Sequence, residues 1–440
     1  MPYQASSRLP GERASKLGHL EVLRSPLVEK LVESFEQPDV ASVESKIPWQ
    51  PLPPIGSPLD LVFAVDGSMQ PIEDEQPPYK RVAFVKTALM RLDEVALARI
   101  DKETPHPFAL RDLMADSALY HATVFPLRHV DVPGTTVYDA VRRIIFESLK
   151  DDSLKAEPLE TLKWLAYEKW SGARKSLPNF QCPRCDSTRA TLPYDQEEGP
   201  CPDCNQTIYI SDMLGFHLEM VEESASDSIA TAYMSIHETL LLFTGIRHYW
   251  ENDRTTLARC LFLKDGPLQI RAQYSKLVEP IRRFFRLAFQ QGTPICIAGQ
   301  EKTGYFVEHL DLVGRKAPAG HLFIPSHKYI CEQIQHRPAS GAPYGKDTNY
   351  GAKLFLILDE RCKYVLSVPV NMEMGQFVAS PSPSRLIGLE RILATLPRLV
   401  SSRHENALVP IELANNVASL STYPSAQILK IFTDAKVKRL

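Results

Sequence analysis

The stretch Leu61–Gln70, "LVFAVDGSMQ", decides how the rest of the chain is read. Its five apolar residues, Leu61–Val65, predict a strand, and Asp66, Gly67 and Ser68 follow directly. Taken alone, the aspartate before a glycine is an ordinary turn, with Gly67 supplying permissive backbone. A second instance changes that reading. In "ARCLFLKDGPL" a strand Arg259–Lys264 also delivers an aspartate, Asp265, just before Gly266. Two strand ends side by side can present both carboxylates to one cation, whose charge offsets their repulsion.

A third carboxylate comes from "AYMSIHETLLLF". Helical spacing puts Glu238 on one face with Met234, Leu241 and Leu242, and a glutamate there is costly unless paired or bound to a cation. A salt bridge to Arg282 is the rival explanation, and Glu251, Glu219 and Glu223 are alternative third acids. Asp66, Glu238 and Asp265 together would suit Mn²⁺ or Mg²⁺, because hard oxygen ligands select these ions. Two such ions about 4 Å apart can activate water and hold the leaving oxygen of a phosphodiester.

The clearest chemical signal is "CPRCDSTRATLPYDQEEGPCPDCNQTIYISD". Cys182, Cys185, Cys201 and Cys204 form two Cys-x-x-Cys pairs with 15 residues between them, the spacing of a tetrahedral zinc site. Four thiolates leave no position for water, so the predicted Zn²⁺ is structural. Asn205 stands where a left-handed residue relieves the turn. The linker acids Asp195, Glu197 and Glu198 disfavour a phosphate-binding face there.

The chain has 440 residues, a net charge of -3 and eight cysteines. These values suit a globular protein of two or three units in a reducing, cytoplasmic setting, and give no sign of a strongly basic nucleic-acid binder. No run of 18 apolar residues occurs, so no membrane association is expected, and the first residues lack the apolar core of a secretion signal. No phosphate-binding "GxxxxGK[ST]" is present, so ATP-driven movement would need a partner. An α/β architecture with a mixed-sheet core, flanking helices and an inserted zinc ribbon is expected. Its parts are an N-terminal arm or small helical element (1–58), a first core segment (59–160), the zinc insertion (161–220) and a second core segment (221–440).

Within these parts, helices are expected near Val22–Phe35, Thr136–Ser148, Leu159–Trp170, Ser228–His248, Leu277–Gln290, Ser384–Arg398, Asn406–Ser419 and Ala426–Thr433. Strands are expected near Thr293–Gly299, Ala352–Leu358 and Tyr364–Val370, and "YKRVAFVKTALMRL" could form a hairpin with the first strand. Arg282 and Arg286 share a helix face that could line a nucleic-acid channel or simply meet solvent. The Pro-rich lead-in "IPWQPLPPIGSP" could serve as a docking surface.

The order "VDGS", helix glutamate, "LKDGPL" and then "CIAGQEKTG" resembles the NurA family of nucleases across roughly residues 59–90 and 228–420. The resemblance implies an RNase H-like core with Asp66 on its first, central strand. It also implies DNA as substrate, a HerA-like hexameric ATPase as partner, a homodimer, and a role in DNA end processing or phage defence. On the same basis Lys302 would contact a phosphate or stabilise charge at the cleaved bond. In "NALVPIELANNVASLS", Asn415 stands where the family carries a histidine and Val409 where it carries a tyrosine. Asn415 could still offer an oxygen to the metal but cannot act as the same base, and His404 is a nearby stand-in. A catalytically weak adaptor that regulates the translocase, or an RNase H-like enzyme of another class, are the competing readings.

Overall fold

Alternating and continuous apolar runs build one nine-stranded mixed sheet. The computed structural model describes residues 22–35, 47–93, 118–222, 224–373, 376–401, 404–420 and 425–436. Glu223, one of the alternative acids, lies outside them. The chain divides into two compact units, Met1–Ile47 and Pro48–Leu440. In the first, helix α1 (Pro26–Glu33) starts at Ser25, whose hydroxyl accepts from the Val28 amide, and none of its residues is buried.

The strands of the second unit are β1 (Gln50–Pro51), β2 (Leu61–Glu73), β3 (Arg81–Asp93), β4 (Ala118–Arg128), β5 (Glu198–Pro200), β6 (Thr207–Tyr209), β7 (Cys260–Asp265), β8 (Cys296–Glu301), β9 (His321–Phe323), β10 (Ala352–Ile357) and β11 (Lys363–Val368). The main sheet runs β1-β9-β10-β11-β8-β7-β2-β3-β4, while β5 and β6 pair separately in the cysteine segment. The β2–β7 and β7–β8 pairs are parallel and the other pairs in the main sheet are antiparallel. The Pro-rich lead-in contributes β1, which closes onto β9, so part of it is taken up by the sheet.

No turn forms at Asp66-Gly67-Ser68, and the strand expected over Leu61–Val65 does not end there. β2 runs 13 residues, straight through these three, because β3 pairs with it from Leu61↔Asp93 to Glu73↔Arg81. The parallel neighbour is shorter: its pairing ends at Val65↔Lys264, so Asp66 and Asp265 are the next residues on adjacent strands. β4, β9 and the helix Tyr305–Val313 carried no expectation, since β4 and the helix mix polar with apolar residues and β9 is only three residues long.

Helices cover both faces: α2 (Val137–Leu149), α3 (Glu157–Ala166), α4 (Asp227–Asn252), α5 (Val278–Gln290), α6 (Tyr305–Val313), α7 (Leu389–Leu399), α8 (Val409–Ala418) and α9 (Ser425–Lys436). Strand alternation sorts the core into two. Phe63, Val65 and Phe262 pack with α2 to α5 and the cysteine segment. Val62, Ala64, Leu261 and Leu263 pack with α7 and α8 on the other face. Trp164 and Trp250 are buried anchors in the first core, with Trp170 packed against it. Among the described residues α4 alone is long and apolar enough to cross a membrane, but 83% of its apolar window is buried in the fold. The result is a mixed α/β architecture with helices on both sides of a central sheet and a compact four-cysteine module.

Candidate functional site

Asp66 falls on the face of Val62 and Ala64, and Asp265 on the face of Leu261 and Leu263, both covered by α8. One residue on, Gly67 faces α4. A Cβ there would lie 2.6 Å from the Glu238 carboxylate and 2.6 Å from the Met234 side chain. Glycine is therefore required by close approach of the helix, and its φ is not positive. Glu238 reaches the strand from α4, opposite the face that carries Asp66.

A cleft of about 680 Å³ opens where β7 parts from β2 and is lined by Asp66, Glu238, Lys264, Asp265, Lys302 and Asn415. The five residues expected at the carboxylate site thus share one cleft. They do not form one tight ligand cluster: among the described residues, the close-packed group of candidate metal ligands is the cysteine quartet. The physical reason is charge. The Lys264 ammonium donates to Glu238 at 2.5 Å and Lys302 donates to Asp265 at 2.9 Å, so each of these acids already has a counter-ion. The partner of Glu238 is therefore Lys264, not Arg282.

Asp66 has no such partner. Its Oδ1 accepts from the Gly67 amide at 2.7 Å, and its buried Oδ2 has no hydrogen-bond partner among the described residues. Burial, then the Asp265 and Glu238 charges, push its carboxyl up to about 8, against the Gly67 amide and Lys302. Burial also raises Glu238, with the Lys264 ammonium working against it. An orphaned buried carboxylate oxygen next to a second aspartate is the kind of donor pair that could hold a hard divalent cation. Glu238 fits it only by exchanging Lys264 for the ion.

Lys264, inside "LKDGPL", carries no role in the sequence reading. Its signal was present: a lysine inside "CLFLKDG" is as costly on an apolar strand as Glu238 is on an apolar helix, and each answers the other. Arg282, expected to face nucleic acid or solvent, instead donates to the backbone carbonyls of Gly345, Lys346 and Asn349 and braces that loop. His404 lies on a neighbouring cavity, 4.0 Å from Glu412, and does not line the carboxylate cleft.

In the cysteine module the ligand sulfurs all lie within 4.8 Å of one another. Two matching turns achieve this: the Asp186 amide donates to the Cys182 carbonyl and the Asn205 amide to the Cys201 carbonyl. Asp186 and Asn205 both take φ of 56°. The quartet can hold a structural Zn²⁺. The module is fused to the body, because Cys182 and Cys201 are buried in the first core. Arg142 of α2 forms a buried pair with Asp212 at 2.8 Å, and Lys163 of α3 meets the linker acids Asp195 and Glu197.

No family model and no curated protein matches the chain. Among solved structures, the NurA nuclease from Sulfolobus solfataricus is similar with 12% identity and a TM-score of 0.37, covering 96% of this chain and 97% of that one. A NurA bound to dAMP and manganese is similar with 13% identity and a TM-score of 0.32, covering 96% and 97%. Overlays at these scores assign no residue roles, which rest on the geometry above.

Proposed function

We propose that this chain is a metal-dependent DNA nuclease, hydrolysing phosphodiester bonds at DNA ends or in single strands. The observation that carries the reading is the buried, unpartnered Oδ2 of Asp66 beside Asp265 at the point where two parallel strands separate. Asp66 and Asp265, joined by Glu238, would hold Mn²⁺ or Mg²⁺. Such an ion polarises a phosphoryl oxygen and lowers the pKa of bound water. Lys302, on the Asp265 side of the cleft, orients a phosphate and offsets negative charge as the bond breaks. Asn415, also on the wall, contributes an amide oxygen to the ion or an amide hydrogen to the phosphate, and cannot serve as a base.

The resemblance of the motif order to the NurA family supports a homodimer working with a HerA-like hexameric ATPase, in repair or phage defence, and the cysteine usage supports a cytoplasmic setting. A second reading, a weakly active adaptor that regulates the ATPase, draws support from the two lysines that neutralise Glu238 and Asp265, and from Asn415. Labelled single- and double-stranded DNA incubated with Mn²⁺ separates the two. The nuclease reading expects cleavage by the wild type and its loss in Asp66→Ala. Equal cleavage by both variants refutes the assignment, and no cleavage with or without the ATPase favours the adaptor.

A further inference from the structure

A second cavity of about 520 Å³ lies beside the carboxylate cleft and shares the wall residues Glu301, Lys302 and Asn415 with it, and the two together form the trough considered below. The charges along this trough are unevenly committed. In the cleft, Glu238, Asp265 and Glu301 are each matched to a lysine: Lys264, Lys302 and Lys353. Two other cations line the trough, Arg271 in the carboxylate cleft and Lys363 in the second cavity. Neither side chain makes a hydrogen bond or ion pair among the described residues. Arg271 is exposed where the chain leaves β7, just before a short 3₁₀ turn, and the Lys363 backbone amide is pinned by Asn406 at the start of β11.

We infer that Arg271, in the carboxylate cleft, and Lys363, in the adjoining cavity, bind backbone phosphates of a single DNA strand lying along the trough. The inference rests on the nuclease reading for the identity of the strand, but its chemistry is separate. An uncommitted guanidinium is suited to bidentate phosphate contact, and an ammonium acts as a point charge. Asp311, Glu405 and Glu412 share the second cavity with Lys363, so Lys363 is the weaker anchor.

The test is fluorescence anisotropy of the full chain with a labelled oligo-dT strand, without added divalent metal, at several salt concentrations. Cleavage kinetics are followed separately in Mn²⁺. Arg271→Ala is expected to raise Kd 3- to 10-fold and lower the salt slope by about 0.7, the value for one contact on a single strand. Arg271→Lys should keep part of the affinity, and Lys363→Ala should raise Kd about 2- to 3-fold. In cleavage, both alanine variants should raise KM more than they lower kcat. Arg143→Ala, on the exposed face of α2, is the control and should change nothing. Tighter binding by wild type than by Arg271→Ala, with no cleavage by either, sustains this inference and defeats the nuclease reading. Cleavage by wild type with Kd and salt slope unmoved in both alanine variants overturns the inference and leaves the nuclease reading standing. Failure of the wild type to bind the strand overturns the inference as well.

Discussion

The cysteine module and the carboxylate cleft both gather potential ligands, yet only the first packs its ligand atoms together. Its four sulfurs come from two local turns of four residues each, whose backbone hydrogen bonds already point them inward. The acids of the cleft come from β2, α4 and β7, and they approach β2 from different sides. A thiol can stay protonated, so sulfurs tolerate proximity better than ionised acids do. Carboxylates repel, and here two of the three have recruited lysines instead. Local geometry preorganises the cysteine quartet, whereas nothing local gathers the acids of the cleft.

The largest expected effect lies on the zinc side. Cys201→Ser, or removal of zinc by a strong chelator, should unfold the first core as well as the module, since structural zinc binding is worth about 10 kcal/mol or more. Thermal unfolding with zinc quantitation checks this. Loss of a small local transition, with the main one unmoved, would show that the module is independent. Next is Arg142→Ala, which strands Asp212 in the interior and should cost about 3–5 kcal/mol in denaturant unfolding, with much of it recovered when Asp212 is replaced too.

In the cleft, Gly67→Ala drives a methyl into Glu238 and Met234 and should cost about 1–3 kcal/mol by overpacking. Asp66→Asn should act in the opposite direction in metal-free buffer. The folded-state carboxyl sits at about 8, above its unfolded value, so the folded chain holds a proton that the unfolded chain releases. Wild-type stability therefore falls as pH rises from 4 towards 8, by about 1 kcal/mol per unit, and the variant lacks this loss. The stability gap between the two should close near pH 4 and widen towards pH 8. A pH-independent gap would mean Asp66 is ionised in the fold. The smallest effect expected is Asn415→Ala on stability, within about 0.5 kcal/mol, because the side chain is exposed.

The two regions also differ in how far their sequence could be read. The zinc ligands were legible one by one, and so was the left-handed Asn205, because both depend on a few neighbouring residues. For the cleft, the residues were legible but their arrangement was not. "VDGS" reads as a strand end, since the long partner β3 that carries β2 past Asp66 is seen only once the pairing is known. From the sequence Gly67 reads as permissive backbone in a turn, whereas glycine is required there by a helix more than 160 residues away. Lys264 and Glu238 were each legible as a buried-charge problem, and their mutual solution became evident only from the packing.

We propose that Asp66 and Asp265 form a hard-cation site, with the ion competing with Lys302 for Asp265. Titration of the chelator-stripped, zinc-replete protein with Mn²⁺, followed by the loss of the free-ion electron paramagnetic resonance signal, tests it most directly. Saturable binding by the wild type, beyond any uptake at the cysteine site, is expected, with its loss in Asp66→Asn while the fold is retained. Equal Mn²⁺ uptake by the two proteins would contradict it.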